Sequence, residues 1–197
     1  MAEEKKDEQA KPATPAEGAP KAAPAKPAVP APAPWQSDLV NSIRAAFPDV
    51  AFEAFTYLNQ NFLVLPLESI LPVALFLKSD SGFDMLTDLT AVDYPKREKR
   101  FEVIYELYSF SKNERLRLKV PAGDGEMVES MVSVWGVADW LERECFDMFG
   151  IRFAHHPNLK RILLPDEWEG YPLRKDYPIL KQDEKWVREN LHIEKGQ

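Results

Sequence analysis

The sequence predicts an α+β, two-layer domain: a mostly antiparallel mixed sheet of about five strands packed by helices, with a disordered N-terminal tail and an extended C-terminal arm. Three observations carry that prediction. Residues 101–109 alternate, with Phe101, Val103, Tyr105 and Leu107 on one face and Glu102 and Glu106 on the other, the period of a half-buried strand. Leu39, Ile43 and Phe47 recur at four-residue spacing, and so do Leu141 and Cys145, the period of an amphipathic helix. Composition breaks at Trp35 and again after Gly150, which separates a tail (1–34), a domain (35–150) and an arm (151–197).

The tail holds 8 of the 17 prolines and no aromatic residue, too little apolar surface to offset chain entropy. Ser37 is a good N-cap for a helix over 38–47, which Pro48 closes. Residues 50–57 and 62–67 flank Asn59-Gln60-Asn61 and read as a hairpin. A second helix spans 68–78, where Pro72 falls in the first turns. Strands follow at 83–92, 101–109 and 115–120, the first two joined by the charged loop 95–100. Gly123-Asp-Gly125 marks a turn, and a last helix runs over 137–149 and stops at Gly150.

Composition excludes several functions. The net charge of −7 and pI near 5.1 supply no basic stripe for nucleic acid. A lone cysteine, Cys145, rules out a disulfide framework and any zinc or iron–sulfur site built from this chain's thiolates. No apolar run approaches the roughly 18 residues of a membrane span, and the first ten residues lack the apolar core of a secretory signal. No glycine-rich dinucleotide fingerprint, P-loop or nucleophile elbow occurs. His155 and His156 are adjacent, without the i, i+4 spacing that sets two imidazoles on one metal. These absences point to a protein of a reducing, cytoplasmic compartment without a catalytic, cofactor or metal site of its own.

The informative stretch begins at Trp135. Leu141, Cys145, Met148 and Phe149 form a core stripe, with Cys145 as a small hydrophobe. Arg143 and Asp147 point away from that stripe at a spacing that allows them to pair, and Trp140 and Phe146 flank them. Large aromatics beside charges suggest a helix covered on both sides. The arm carries Lys160, Arg161, Arg174 and Lys175 against Asp166, Glu167, Glu169 and Asp176, and Pro157, Pro165, Pro172 and Pro178 keep it extended. With Ile162, Leu163, Leu164, Trp168, Tyr171 and Tyr177 it needs a surface to lie on, and another polypeptide is the expected one.

Three blocks name a family. Glu142-Arg-Glu-Cys-Phe-Asp147-Met-Phe-Gly150-Ile, His156-Pro157-Asn-Leu-Lys-Arg161-Ile-Leu and Gly170-Tyr-Pro-Leu-Arg174-Lys175-Asp176-Tyr-Pro closely resemble the C subunit, or 30 kDa subunit, of the proton-pumping NADH:quinone oxidoreductase, respiratory complex I. Weaker similarity runs back through Leu86-Thr-Asp88-Leu-Thr-Ala-Val-Asp93-Tyr, so the likeness covers roughly 36–180. The resemblance implies a structural subunit of the peripheral arm, on the cytoplasmic side of a bacterial inner membrane, touching the membrane only through the complex. It implies a D-type (49 kDa homologue) partner near the quinone, with FMN and iron–sulfur clusters in other subunits and none here. Glu142, Arg143, Glu144, Asp147, Gly150, His156, Pro157, Arg161, Arg174, Lys175 and Asp176 become interface or structural residues. The alternatives are the equivalent subunit of a membrane-bound [NiFe] hydrogenase or of a complex with another donor, a free enzyme using Glu144 and Asp147 as an acid–base pair, and an adaptor binding through its tail.

Overall fold

The computed structural model describes residues 30–178 and 184–191. The tail expected to be disordered lies outside the described residues up to position 29. Residues 33–34, assigned to that tail, instead form a short strand, β1 (Ala33–Pro34), and Trp35 donates its N–H to Ala54 O at 2.9 Å. Edge pairing of two residues leaves no mark on composition, so the sequence hid it.

After β1 come α1 (Asp38–Ala46), β2 (Glu53–Tyr57), β3 (Gln60–Val64), a 3₁₀ turn at Leu67–Ser69 and α2 (Ile70–Ser79). Then follow β4 (Met85–Asp93), β5 (Phe101–Ser109), β6 (Glu114–Ala122), β7 (Met127–Glu129), α3 (Ala138–Phe149), β8 (Arg152–Ala154) and α4 (Glu184–Leu191). Ser37 caps α1 as expected, its Oγ accepting from Val40 N–H at 3.2 Å. The main sheet has six strands in the order β1-β2-β3-β6-β5-β4, antiparallel except for β3 beside β6. It is therefore the expected mixed, mostly antiparallel sheet, with β1 added. β7 and β8 pair in parallel as a separate two-stranded ribbon, where local pattern predicts only a turn and an extended arm.

The hairpin between β2 and β3 is tighter than expected. Tyr57 pairs with Gln60, so the loop is Leu58-Asn59, both left-handed at φ 47° and 60°. That is the type I′ loop that matches strand twist, and Leu is an unusual residue to place there.

Alternation decides the layers. On β5 the 101, 103, 105 and 107 side chains are buried and the 102, 104, 106 and 108 side chains half-buried. Val40 and Ile43 of α1, Val73, Ala74 and Leu77 of α2, and Cys145 and Phe149 of α3 join Leu63, Val103, Tyr105 and Leu118 in one apolar cluster. The other face shows cross-strand ion pairs, Lys119 with Glu102 at 3.1 Å and Arg117 with Glu106. α3 packs against β4, at the far edge of the sheet, and presents its outward face to the segment that follows it.

Candidate functional site

The three quoted blocks meet around α3, and the helix end shows why. The last four carbonyls of a helix have no partner within it. Gly150, at φ 77°, donates its N–H to Phe146 O at 2.9 Å. Arg161 Nη1 reaches Asp147 O at 3.3 Å, Leu173 N–H reaches Met148 O at 3.0 Å, and Arg174 Nη1 reaches Phe149 O at 3.5 Å. The arm therefore completes the helix, and it brings two guanidinium groups to the negative end of the helix dipole. A Cβ at Gly150 would lie 2.6 Å from the Tyr171 ring, so close packing as well as φ requires glycine here.

Asp147 is the hub. Its side chain is fully buried, with Oδ1 2.6 Å from Arg161 Nη1. Oδ2 accepts the successive backbone N–H groups of Ile162, Leu163 and Leu164 at 3.0, 2.7 and 2.9 Å. Burial by itself raises this carboxyl's pKa. The Leu164 N–H, the Arg161 guanidinium and the Leu163 and Ile162 N–H groups outweigh burial and hold it below the usual range. Arg161 Nη2 continues to Trp168 O at 2.9 Å and Gly170 O at 3.1 Å, which ties residues 168–170 of the arm and Asp147 of α3 to one guanidinium.

Arg143 does not pair with Asp147. It donates to Lys160 O at 3.2 Å and Arg161 O at 3.1 Å, because the arm interposes its carbonyls between the two side chains. Glu144 is exposed, with no hydrogen bond or ion pair among the described residues, while Asp147 is buried with its acceptors filled. The two carboxylates therefore do not converge as an acid–base pair.

A second knot fixes the far end of the arm. Arg100 grips buried Asp93 through Nε at 2.8 Å and Nη2 at 2.9 Å, and reaches Asp176 at 2.7 Å. Lys175 contributes its backbone N–H to Asp93 Oδ2 at 2.7 Å, and its side chain is exposed. Arg174 pairs with Asp124. The Arg100 guanidinium draws the pKa of Asp93 down against burial and that of Asp176 down as well, and both carboxylates push that of Arg100 up. Asp93, Arg100 and Asp124 were not singled out from the sequence as site residues. Only Asp93 had a signal, at the end of the block 86–94.

The third cluster lies under the start of the arm. Glu142 is fully buried, with Oε1 accepting Met131 N–H at 2.6 Å. The His156 side chain is fully buried, its Nε2 3.1 Å from Asp139 O, 3.4 Å from Asp139 Oδ1 and 4.0 Å from Glu142 Oε2. Pro157 is exposed beside it. Burial, the first of several causes, pushes the Glu142 carboxyl up to about 7.

These contacts correct two expectations. Phe146 meets Tyr171 edge-on at 6.4 Å, and Trp168 is half-buried and 5.7 Å from Trp186 of α4. The surface the arm needs, at least through residue 178, is its own domain. The arm is also not wholly extended, since it contributes the helix α4. Trp140 is different and stays 64% exposed. Among the described residues, no group of three or more His, Cys, Asp or Glu is placed to hold a metal ion.

Known proteins share this sequence pattern and this fold. The family model described as respiratory-chain NADH dehydrogenase, 30 kDa subunit, matches residues 63–183. The C subunit of NADH-quinone oxidoreductase from Geotalea uraniireducens is 40% identical over 145 residues, 73% of this chain and 88% of that protein. Its counterpart from Trichlorobacter lovleyi is 53% identical over 114 residues, 57% of this chain and 70% of that protein. Among solved structures, a chain of the membrane-bound sulfane sulfur reductase, an archaeal respiratory membrane complex, aligns at TM-score 0.63. It is 23% identical, covers 81% of this chain and 94% of that one, and shares the fold.

Proposed function

Since the chain belongs to the 30 kDa subunit family of respiratory-chain NADH dehydrogenase, we propose that it is a hydrophilic, cofactor-free structural subunit of the peripheral arm of an NADH:quinone oxidoreductase. Other subunits would carry electrons from NADH through FMN and iron–sulfur clusters to quinone, coupled to proton translocation. The chain would stand on the cytoplasmic side of a bacterial inner membrane against a D-type subunit. Among the described residues no helix is long and apolar enough to cross a membrane, so attachment through the complex fits this reading. NADH is preferred over hydrogen or another donor because the relatives at 40–53% identity are named for it.

One observation carries the structural role. Asp147 and Arg161, the charged pair central to the family-like blocks, are spent on holding this chain together, and Asp147 has both oxygens occupied. Trp140 and Leu163, 64% and 62% exposed, are the large apolar side chains beside that hub, and we place them at the interface with the D-type partner.

The test is purification from solubilised native membranes. The chain is expected in the band that oxidises NADH and reduces quinone, together with a D-type subunit. Recovery only outside that band, with its activity intact, would overturn the proposal. Trp140→Ala is expected to weaken that association by about 2 kcal/mol, the scale of an interface hot spot, without changing the fold.

A further inference from the structure

The cluster under His156 has more acceptors than donors. Asn158 donates its backbone N–H to His156 Nδ1 at 3.0 Å, so Nδ1 carries no proton and the ring is the neutral Nε2–H tautomer. Three acceptors face that one N–H: Asp139 O, Asp139 Oδ1 and Glu142 Oε2. The first takes the hydrogen bond. Asp139 Oδ1 and Glu142 Oε2 are both buried and both lack a hydrogen-bond partner. Glu142 forms no ion pair with lysine or arginine among the described residues. The groups around it are Asp139 and Cys145 on α3, Tyr105 on β5, Ser130 and Met131 after β7, and His156 after β8. Tyr105 Oη is buried and unpaired too, and burial followed by the nearby Glu142 charge raises its pKa. The Met131 N–H and the Ser130 hydroxyl favour the ionised carboxyl, but among the described residues no lysine or arginine joins them to offset a second negative charge.

We propose that Glu142, Asp139 and His156 form a buried proton-binding latch: a proton on Glu142 Oε2 keeps the chain after β8 seated on α3, and loss of that proton releases it. Because Oε1 is engaged by Met131 N–H, Oε2 is the oxygen left to carry the proton. In this latch an ionised Glu142 regains hydration by displacing the His156 ring, 4.0 Å from Oε2, and that movement breaks the Asn158–His156 bond. The charge pattern makes the latch independent of the Asp147 hub one turn along α3, whose carboxylate is already neutralised by Arg161.

Nuclear magnetic resonance of the full chain tests it. Long-range proton–nitrogen correlation is expected to show His156 as Nε2–H. Exchange protection of the Asn158 amide, corrected for the intrinsic rate, is expected to fall with rising pH by about tenfold per unit, the slope of one released proton. The fall should level off near pH 7, where the folded carboxyl has titrated. In Glu142→Gln the protection is expected to stay flat with pH. Asp139→Asn, which removes the like charge beside Glu142, is expected to move the levelling point to lower pH. A ring protonated on Nδ1, or flat protection of Asn158 in the unmodified chain, overturns the proposal, and both readings survive a failure of Glu142→Gln to fold. A slope that persists in folded Glu142→Gln overturns it as well.

Discussion

Leu118 and Asp147 are both fully buried, one in the sheet core and the other beneath the arm, yet they are held inside for opposite reasons. Leu118 belongs to an apolar cluster drawn from the sheet and the three helices packed on it, and its burial is non-directional. Asp147 is buried because donors come to it: one guanidinium and three consecutive amides converge on two oxygens. The core is a matter of area and shape, whereas the arm is a matter of counting hydrogen bonds. Two such regions should fail in different ways.

The largest expected effect separates them directly. Asp147→Ala leaves Arg161 and three amides without an acceptor and is predicted to cost the docked arm about 3–5 kcal/mol. Leu118→Ala should cost a similar amount, roughly 2–5 kcal/mol, through its cavity. Native-state hydrogen exchange distinguishes the two. Asp147→Ala should strip protection from 162–173 and leave β5 protected, and Leu118→Ala should lower both together. If Asp147→Ala unfolds β5 in step with the arm, the two regions are one cooperative unit.

Gly150→Ala comes next. It forces a left-handed φ on alanine, at about 1–2 kcal/mol, and drives a methyl into the Tyr171 ring. A loss of stability of about 2–3 kcal/mol in denaturant titration is expected, with Tyr171 displaced.

Acid should release the arm before the core. Asp93, Asp147 and Asp176 all have folded pKa values below the ordinary 3.8. Their stabilisation is therefore complete above that value and fades as pH falls below it through the lowered pKa values. The arm amides at 162–164 and 175 should lose protection there while Val103 keeps its own. Equal loss at both places would erase the distinction.

The smallest effect is a gain. Leu58 occupies a left-handed turn position with 67% of its surface exposed. Leu58→Asn should stabilise the chain by up to about 1 kcal/mol, seen as a raised denaturant midpoint, because asparagine tolerates that φ.

Much of this was legible beforehand. The alternation over 101–109 located β5 to the residue, Ser37 announced its helix, and Gly150 ended α3 where expected. What covers the buried carboxylates of α3 was not. Trp140 and Phe146 beside the charges of α3 point to a covered face, but helical periodicity cannot tell another polypeptide from a later stretch of the same chain. The knot of Asp93, Arg100, Asp124, Arg174 and Asp176 spans two segments far apart in the chain, beyond any local pattern.

Local regularity reports what a segment does at the distance of its own next turn, and so strands, caps and the apolar stripe could be read from the amino acids alone. Which groups meet an unpaired carbonyl, a buried carboxylate or a lone imidazole proton depends on approach in three dimensions. A hydrogen bond acts only within about 3 Å and in one direction. The tertiary structure alone therefore decided that the arm is ordered by Asp147 and Arg161, and that Glu142 and His156 lie in the dark beneath it.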